Sequence, residues 1–253
     1  MKKFEKIFKI ISIIFIISCC LFYGGRLIFY YNKLKPAKVN GETVKYVGQI
    51  VRMNSGIAYE KDGLYMLDGE YIFKGDVKDN YISYSDKIWR ILKINNDGSV
   101  KLVLDNDASV DNYSMNGVLY ENSNIYSYLK DDFATTLVDS DKFLADMTVC
   151  SDIITDLSKK SCEVKSEQQK VGLISVNDFT ESVLSEKTFI NTEGAIWTIN
   201  PESDTQMWVA YNGKLAKASI NERYGIRPVI TLSSNVKIKN GSGTSDDPYI
   251  LEV

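Results

Sequence analysis

The sequence predicts an α+β domain with mostly antiparallel sheet, carried behind an N-terminal transmembrane helix. Three observations predict it. The one long apolar run lies at the N-terminus, short β-rich segments flank a helical middle, and no repeat of the roughly 20–50-residue kind typical of solenoids and propellers recurs. The 253 residues are 44% hydrophobic and 25% charged, with sixteen Tyr, four Cys and no His, the composition of a globular chain. Lack of His removes the commonest general base and metal ligand, and with them every Ser-His or Cys-His pair. The 30 Lys+Arg against 33 Asp+Glu lack the basic excess of a nucleic-acid binder, so no nucleic-acid partner is expected.

The chain opens on the anchor. Ile10 to Tyr23 is apolar apart from Ser12 and Ser18, and the apolar character resumes over Leu27 to Tyr31 after Gly24-Gly25-Arg26. As one helix, residues 10–31 reach about 33 Å, enough to cross a bilayer. Arg26 can snorkel to headgroups, and Tyr23, Tyr30 and Tyr31 suit an interfacial belt. Two other readings compete. Ile10 to Ser18 could be the core of a cleaved signal peptide, although no small-x-small site follows. Ile16-Ile17-Ser18-Cys19 loosely fits a lipoprotein signal, but Cys20-Leu21-Phe22-Tyr23 follows instead of a polar tether.

Four Lys (2, 3, 6 and 9) precede the span and Lys33, Lys35, Lys38 and Lys45 follow it, so the positive-inside count is nearly balanced. The short basic tail is a signal-anchor arrangement. Residues 1–9 are therefore read as cytoplasmic, and the chain as a single-pass cell-membrane protein with its large part outside. Beyond residue 31 there are 25 basic and 32 acidic residues, net −7, which favours solubility there.

Residues 32–61 lack a strong period and read as a stalk, which gives residues 62–253 to the domain. Strands are expected from Gly63, at Tyr71 to Phe73 and at Tyr81 to Tyr84. Ile88 to Ile94 and Val100 to Leu104 flank Asn95-Asn96-Asp97-Gly98-Ser99, a hairpin connection. Ser123 can cap a helix whose Ile125, Tyr128, Leu129 and Phe133 share one face. A second short helix is expected over Phe143 to Val149. Val171 to Ser175 reads as a strand, and Ser175 with Asp178 as a capping-box-like start for a helix to about Leu184. Ile196 to Ile199 and Met207 to Ala210 are strands, and Asn212-Gly213 is a type I′ turn signal into Leu215 to Ser219. Tyr224 to Leu232 reads as one long strand, and Val236 to Lys239 and Tyr249 to Val253 close the chain. Gly241 to Thr244 and Asp246-Asp247-Pro248 form the turn-rich link between those last two.

Cys19 and Cys20 lie in the membrane segment, leaving Cys150 and Cys162 as the pair in the soluble part. A disulfide in an oxidising exterior would stabilise by about 3 kcal/mol through loop closure. Two unrelated buried thiols are the alternative. A zinc site would need four ligands.

Several segments together resemble a family of uncharacterised single-span surface proteins of Gram-positive bacteria, over about residues 62 to 253. They include Asp62-Gly63-Leu64-Tyr65, Tyr71-Ile72-Phe73-Lys74-Gly75, Asn80-Tyr81-Ile82, Trp89-Arg90-Ile91 and Val171-Gly172-Leu173-Ile174-Ser175. The most specific are Tyr224-Gly225-Ile226-Arg227-Pro228-Val229-Ile230 and Gly241-Ser242-Gly243-Thr244 with Asp247-Pro248-Tyr249. The family carries no settled activity. At greater distance the Gly-Ile-Arg-Pro strand resembles the Gly-x-Arg strand of C-type-lectin-like folds, including sulfatase-modifying enzymes, which implies a C-type-lectin-like domain and, at fold level, nothing about function.

Four residues are the candidate ligand-binding set: Trp197, Asn200, Trp208 and Arg227. Arg227, in an apolar strand, is expected to be buried and paired with a carboxylate or carbonyls. Its other role would be to grip an anionic ligand group. Trp89, Trp197 and Trp208 are expected in the core, with Trp208 the one nearest a loop and free to stack on a sugar. Asn200-Pro201-Glu202 has the residue types of some calcium- and sugar-binding tripeptides of C-type lectins, in another order. Asp105, Asp107 and Asp111 begin like a calcium loop but lack its Gly and Glu, so a solvated acidic loop is expected. No metal, cofactor or catalytic residue is assigned. Three roles follow: an extracellular domain binding a glycan, wall polymer or surface protein; a carboxylate-dependent surface hydrolase, for which no Asp/Glu pair stands out; or a structural surface protein.

Overall fold

The β-rich runs on either side of the helical middle assemble into two sheets. The computed structural model describes residues 45–252 apart from 159–161, 166–167 and 191–193, together with 18, 23–24, 38–39 and 42–43. The predicted anchor over residues 10–31 lies outside the described residues, save for Ser18, Tyr23 and Gly24. Among the described residues no helix is long and apolar enough to cross a membrane. The chain divides into residues 1–43 and 44–253. In the first part, β1 (Lys38–Val39) pairs antiparallel with β2 (Glu42–Thr43).

The second part begins earlier than the sequence suggested. Residues Val47–Ser55, placed in the stalk, form a helix, α1, that buries Val47, Gly48 and Val51. A side chain at position 48 would lie 2.7 Å from the Gly98 carbonyl oxygen, so glycine lets the helix seat on the hairpin turn. Two apolar residues four apart are enough to dock a helix, although too few to register as a period.

In chain order the strands that follow are β3 (Gly63–Leu67), β4 (Glu70–Lys74), β5 (Tyr81–Tyr84), β6 (Lys87–Ile94), β7 (Val100–Leu104), β8 (Ser109–Asn112) and β9 (Val171–Leu173). Then come β10 (Ile196–Pro201), β11 (Gln206–Tyr211), β12 (Lys214–Ser219), β13 (Arg223–Ile226), β14 (Pro228–Leu232), β15 (Ile238–Asn240) and β16 (Tyr249–Leu251). The larger sheet runs β15-β16-β5-β6-β7-β14-β9, with the β3–β4 hairpin joined to β6. The smaller runs β12-β11-β10-β13-β8. Pairing is antiparallel except for β16 with β5 and β10 with β13. The α+β class with mostly antiparallel sheet is thus as expected.

The helical middle differs from its forecast. Ser123 caps α2 (Asn124–Ser127), its Oγ accepting from Tyr126 N at 3.0 Å. The chain then widens into a π-helix over Tyr128–Phe133. Ile125, Leu129 and Phe133 are all buried, on the one apolar face expected of them. The predicted helix over 143–149 is absent. A four-residue helix, α3 (Ser140–Phe143), ends at Phe143, and Leu144 and Met147 instead make bridges to Leu232 and Gln169. Ser175 does cap α4 (Val176–Ser182), accepting from Asp178 N at 3.0 Å.

The expected single strand 224–232 is two strands in two sheets. β13 pairs with β8 in the smaller sheet, and β14 pairs with β7 in the larger. Both antiparallel pairs therefore cross between the sheets together, bending at residues 105–108 and at Arg227. Pro228, with no N–H to donate, starts β14, the position in a strand where proline is tolerated. One hydrophobic core spans both sheets, with Trp89 and Trp197 fully buried in it.

Candidate functional site

At the bend, charge is built into the interior. Arg227 is buried and its Nε donates to Asp107 Oδ1 at 2.9 Å. Gly225 belongs to the same device, because a Cβ there would sit 2.1 Å from Asp107 Oδ2. The Gly-Ile-Arg motif thus reads as space for a carboxylate followed by its counter-ion. Beside it, Arg90 is also buried. Its Nε donates to Asn80 Oδ1 at 2.7 Å, its Nη2 to the Val77 carbonyl at 2.6 Å, and its Nη1 to Asp105 at 3.3 Å and the Phe189 carbonyl at 3.4 Å. The guanidinium carbon lies 3.9 Å from the Tyr81 ring centre. Burial pulls the Arg90 pKa down, against Tyr81 and Asp105. The acidic segment is exposed at Asp107 and Asp111, as expected, and it also carries structural bonds: Asp105 and Asp107 are ion-pair partners, and Asp111 is in β8, its carbonyl accepting from Trp197 Nε1 at 2.8 Å. Arg90 was legible from its place between Trp89 and Ile91 in the apolar stretch of β6, as Arg227 was from its place between Ile226 and Pro228.

A second charged group fixes α4 to the larger sheet. Asp178 takes Lys101 at 2.6 Å, Lys93 at 3.5 Å and the Ser175 hydroxyl at 2.8 Å. Burial alone would raise the Asp178 pKa, but Lys101 and Lys93 outweigh it and hold the carboxyl well below the usual range. Burial lowers Lys93, and Asp178 with Glu70 outweighs it, leaving its pKa raised.

Of the four candidate ligand residues, the structure brings two together. Trp197 stands apart, edge-on to Tyr113 at 5.5 Å and Tyr224 at 5.0 Å, and Arg227 belongs to the bend. Asn200 and Trp208 lie on neighbouring strands β10 and β11, and both hold one stretch of backbone, residues 150–154. Asn200 Nδ2 donates to the Cys150 carbonyl at 2.9 Å and the Asp152 carbonyl at 3.3 Å. Trp208 Nε1 donates to the Ile154 carbonyl at 2.7 Å, and Ile154 N–H returns a bond to the Pro201 carbonyl at 2.9 Å. The Asn200 Oδ1 accepts from Val176 N at 2.9 Å, which fixes the amide orientation. Ile154, Val176 and Trp208 form a satellite apolar cluster, with Leu215 against it.

The bound stretch opens the loop closed by the Cys150–Cys162 disulfide, whose Cα atoms are 5.5 Å apart. The cysteine pairing is thus as expected. Asp152 draws the other end in, its carboxylate accepting from the backbone N–H groups of Glu163 and Val164. Ile153, Leu157 and Val164 are exposed on this loop. The strip 150–154 was missed in the sequence; its signal is Ile153-Ile154 in an otherwise polar stretch beside a cysteine.

Open concavities lie elsewhere. One of about 390 Å³ is lined by Lys142, Phe143, Lys237 and Glu252 among others. Another, of about 280 Å³, lies along the π-helix beside Tyr126, Lys130, Asp146 and Lys170. None of the four candidate residues lines either. Among the described residues, no group of three or more His, Cys, Asp or Glu could hold a metal ion. No family model matches the chain, and neither does any curated protein or solved structure.

Proposed function

We propose that this chain is a surface-held binding domain, anchored in the cell membrane through residues 10–31 with residues 32–253 outside, whose ligand is a glycan, wall polymer or protein. The observation that carries this reading is the β10–β11 face, where Asn200 and Trp208 hold a stretch of chain, residues 150–154, by its backbone. The finer fold reading, a C-type-lectin-like domain in a family of single-span Gram-positive surface proteins, belongs to the same proposal and rests on the Gly225-Ile226-Arg227-Pro228 strand and the other motifs. The Cys150–Cys162 disulfide supports an oxidising exterior.

Binding is favoured over the hydrolase. A glycosidase acid needs a raised carboxyl pKa, whereas among the described residues the carboxyls with a resolved shift move down: Asp97 through Ser99, Asp178 through its two lysines despite burial, and Glu202 through Lys217. The test has two arms. An impermeant maleimide on intact cells should label Cys150 and Cys162 only after an impermeant reductant. The purified full-length chain should bind envelopes of the same cells saturably, with glycosidase or protease treatment of the envelopes naming the ligand class. Thiols sheltered in intact cells, or no saturable binding to any envelope preparation, would sink the reading.

A further inference from the structure

The concavity of about 280 Å³ along the π-helix has both charge and hydrogen-bond capacity left over. One wall is the helical middle, which contributes Tyr126 from α2 and Leu129 and Lys130 from the π-helix. The other is built from Asp146 and the chain entering β9, joined by two backbone bonds that Met147 and Gln169 exchange at 2.9 and 3.0 Å. Widened helical turns of this kind recur at functional sites.

The charges here do not cancel. Lys170 is already engaged, its Nζ donating to the Leu144 carbonyl at 3.0 Å and pairing with Asp146 at 3.1 Å and Asp141 at 3.8 Å. Lys130 meets no carboxylate among the described residues. Its Nζ has the Tyr126 side chain, 3.5 Å from the hydroxyl and 5.3 Å from the ring centre. Asp131 and Asp132 come next in the chain, and helical neighbours one and two apart do not face each other. The lining thus sets two lysines against one carboxylate, while residues 32–253 together carry net −7.

Gln169 lines the concavity, and its Nε2 is buried without a partner. The Tyr120 hydroxyl is buried and unpartnered too, in a residue only 1% exposed. Tyr120 stands edge-on to Tyr126 at 5.2 Å. Burial pushes its hydroxyl pKa up, and Gln169 is the side chain that eases the rise. An unpartnered buried donor costs about 1–3 kcal/mol, which an acceptor on a ligand would recover. Turning Gln169 Nε2 toward the opening breaks no bond of its own.

We propose that this concavity binds a sugar acid. Lys130 Nζ and the Tyr126 hydroxyl take the carboxylate, the Gln169 amide and the Asp146 carboxylate take ring hydroxyls, and Leu129 and Val171 back the ring. One surplus positive charge matches a monoanion. Six of the nine lining residues carry a polar side chain, which suits a hydroxylated ring rather than an apolar acid. The site is separate from the β10–β11 face and does not rest on the role given to that face.

The test uses the full-length chain in detergent micelles, with D-glucuronate as the probe and D-glucose as its neutral counterpart, titrated by saturation-transfer NMR. Glucuronate should bind saturably, and glucose about tenfold more weakly for want of one charge-assisted hydrogen bond. Lys130→Met should bring glucuronate down to the level of glucose. Gln169→Met should weaken both sugars without lowering the thermal midpoint of the free chain, since Nε2 gives up no bond. Lys142→Met, at the concavity beside Phe143, should change nothing. The proposal is overturned if glucuronate shows no saturable binding, if it binds no better than glucose, or if Lys130→Met with native circular dichroism keeps full affinity. It is overturned equally if inorganic phosphate competes as well as glucuronate, or if the loss follows Lys142→Met instead. A chain that binds envelopes but not glucuronate would lose this site and keep the surface-binding role.

Discussion

The bend between the sheets and the β10–β11 face both bury hydrogen-bonded polar side chains, yet they differ in what stands opposite. At the bend, Arg90 and Arg227 face Asp105 and Asp107, groups on the crossing segments themselves. Neither partner can leave without parting β7 from β8 or β13 from β14. At the face, Asn200 and Trp208 bind the backbone of a strip that no sheet contains. The first arrangement is structural because its partners are covalently part of the elements they join. At the second the partner is a segment outside both sheets, held to the face by hydrogen bonds to its backbone and by the Ile154 side chain.

The largest expected effect lies at the bend. Arg90→Met removes the donor to Asn80, Val77, Asp105 and Phe189 at once and should cost about 3–5 kcal/mol, as when one member of a buried pair is lost. Urea denaturation should show the same loss in oxidised and reduced protein. A reduced-state loss much smaller than the oxidised one would mean that the bend, too, depends on the disulfide loop.

The Asp178 cluster gives the next effect, and it is read by pH. The folded pKa of Asp178 is depressed below its ordinary 3.8, so its stabilisation is present above that pH and is lost as pH falls through the folded value. The folded pKa of Lys93 is raised above its ordinary 10.5, so its contribution is complete below that pH and lost as pH rises through the folded value. Stability should therefore be flat, for these groups, across neutral pH and fall at both extremes. Asp178→Asn should flatten the acid limb.

Gly225→Ala sets a Cβ against the Asp107 carboxylate and should cost about 1–3 kcal/mol by overpacking. Replacing Asp107 by Asn in the same chain would not relieve it, since the amide is as large. Full tolerance of Gly225→Ala would show that the bend can relax. The smallest effect sharpens the comparison most. Trp208→Phe loses one hydrogen bond to the strip and should cost about 1 kcal/mol in the oxidised protein. Arg227→Met should cost more, since it leaves Asp107 without its buried counter-ion.

Much of the fold was legible because most strands here carry their own boundary signals. The Asp97-Gly98 turn, the Asn212-Gly213 turn and the Ser123 and Ser175 caps each act within a few residues, and each has its element beside it, although the one after Ser123 is α for only one turn before it widens. The helix at Val47–Ser55 escaped notice because only one turn of it is buried, and the chain over 144–149 went astray because an apolar run fits a strand bridge as well as a helix. Of the site, the residue types were visible and their grouping was not. Asn200 and Trp208 meet only because β10 pairs with β11, with Trp197 opposite Val209 and Pro201 opposite Met207 across a bulge.

What the sequence determined by itself was local: an apolar N-terminal segment, no histidine chemistry, a domain of α+β class, a pair of cysteines at loop-closing distance, and an arginine that had to find a carboxylate or carbonyls. Those follow from hydrophobicity, valence and turn chemistry, which act over short stretches of chain. Only the tertiary structure decided that the carboxylate was Asp107, that Arg90 shares the bend, and that an asparagine and a tryptophan close over residues 150–154. Those choices depend on which strands pair and where two sheets part. Pairing across a hundred residues is settled by the packing of the whole core, not by any segment of it.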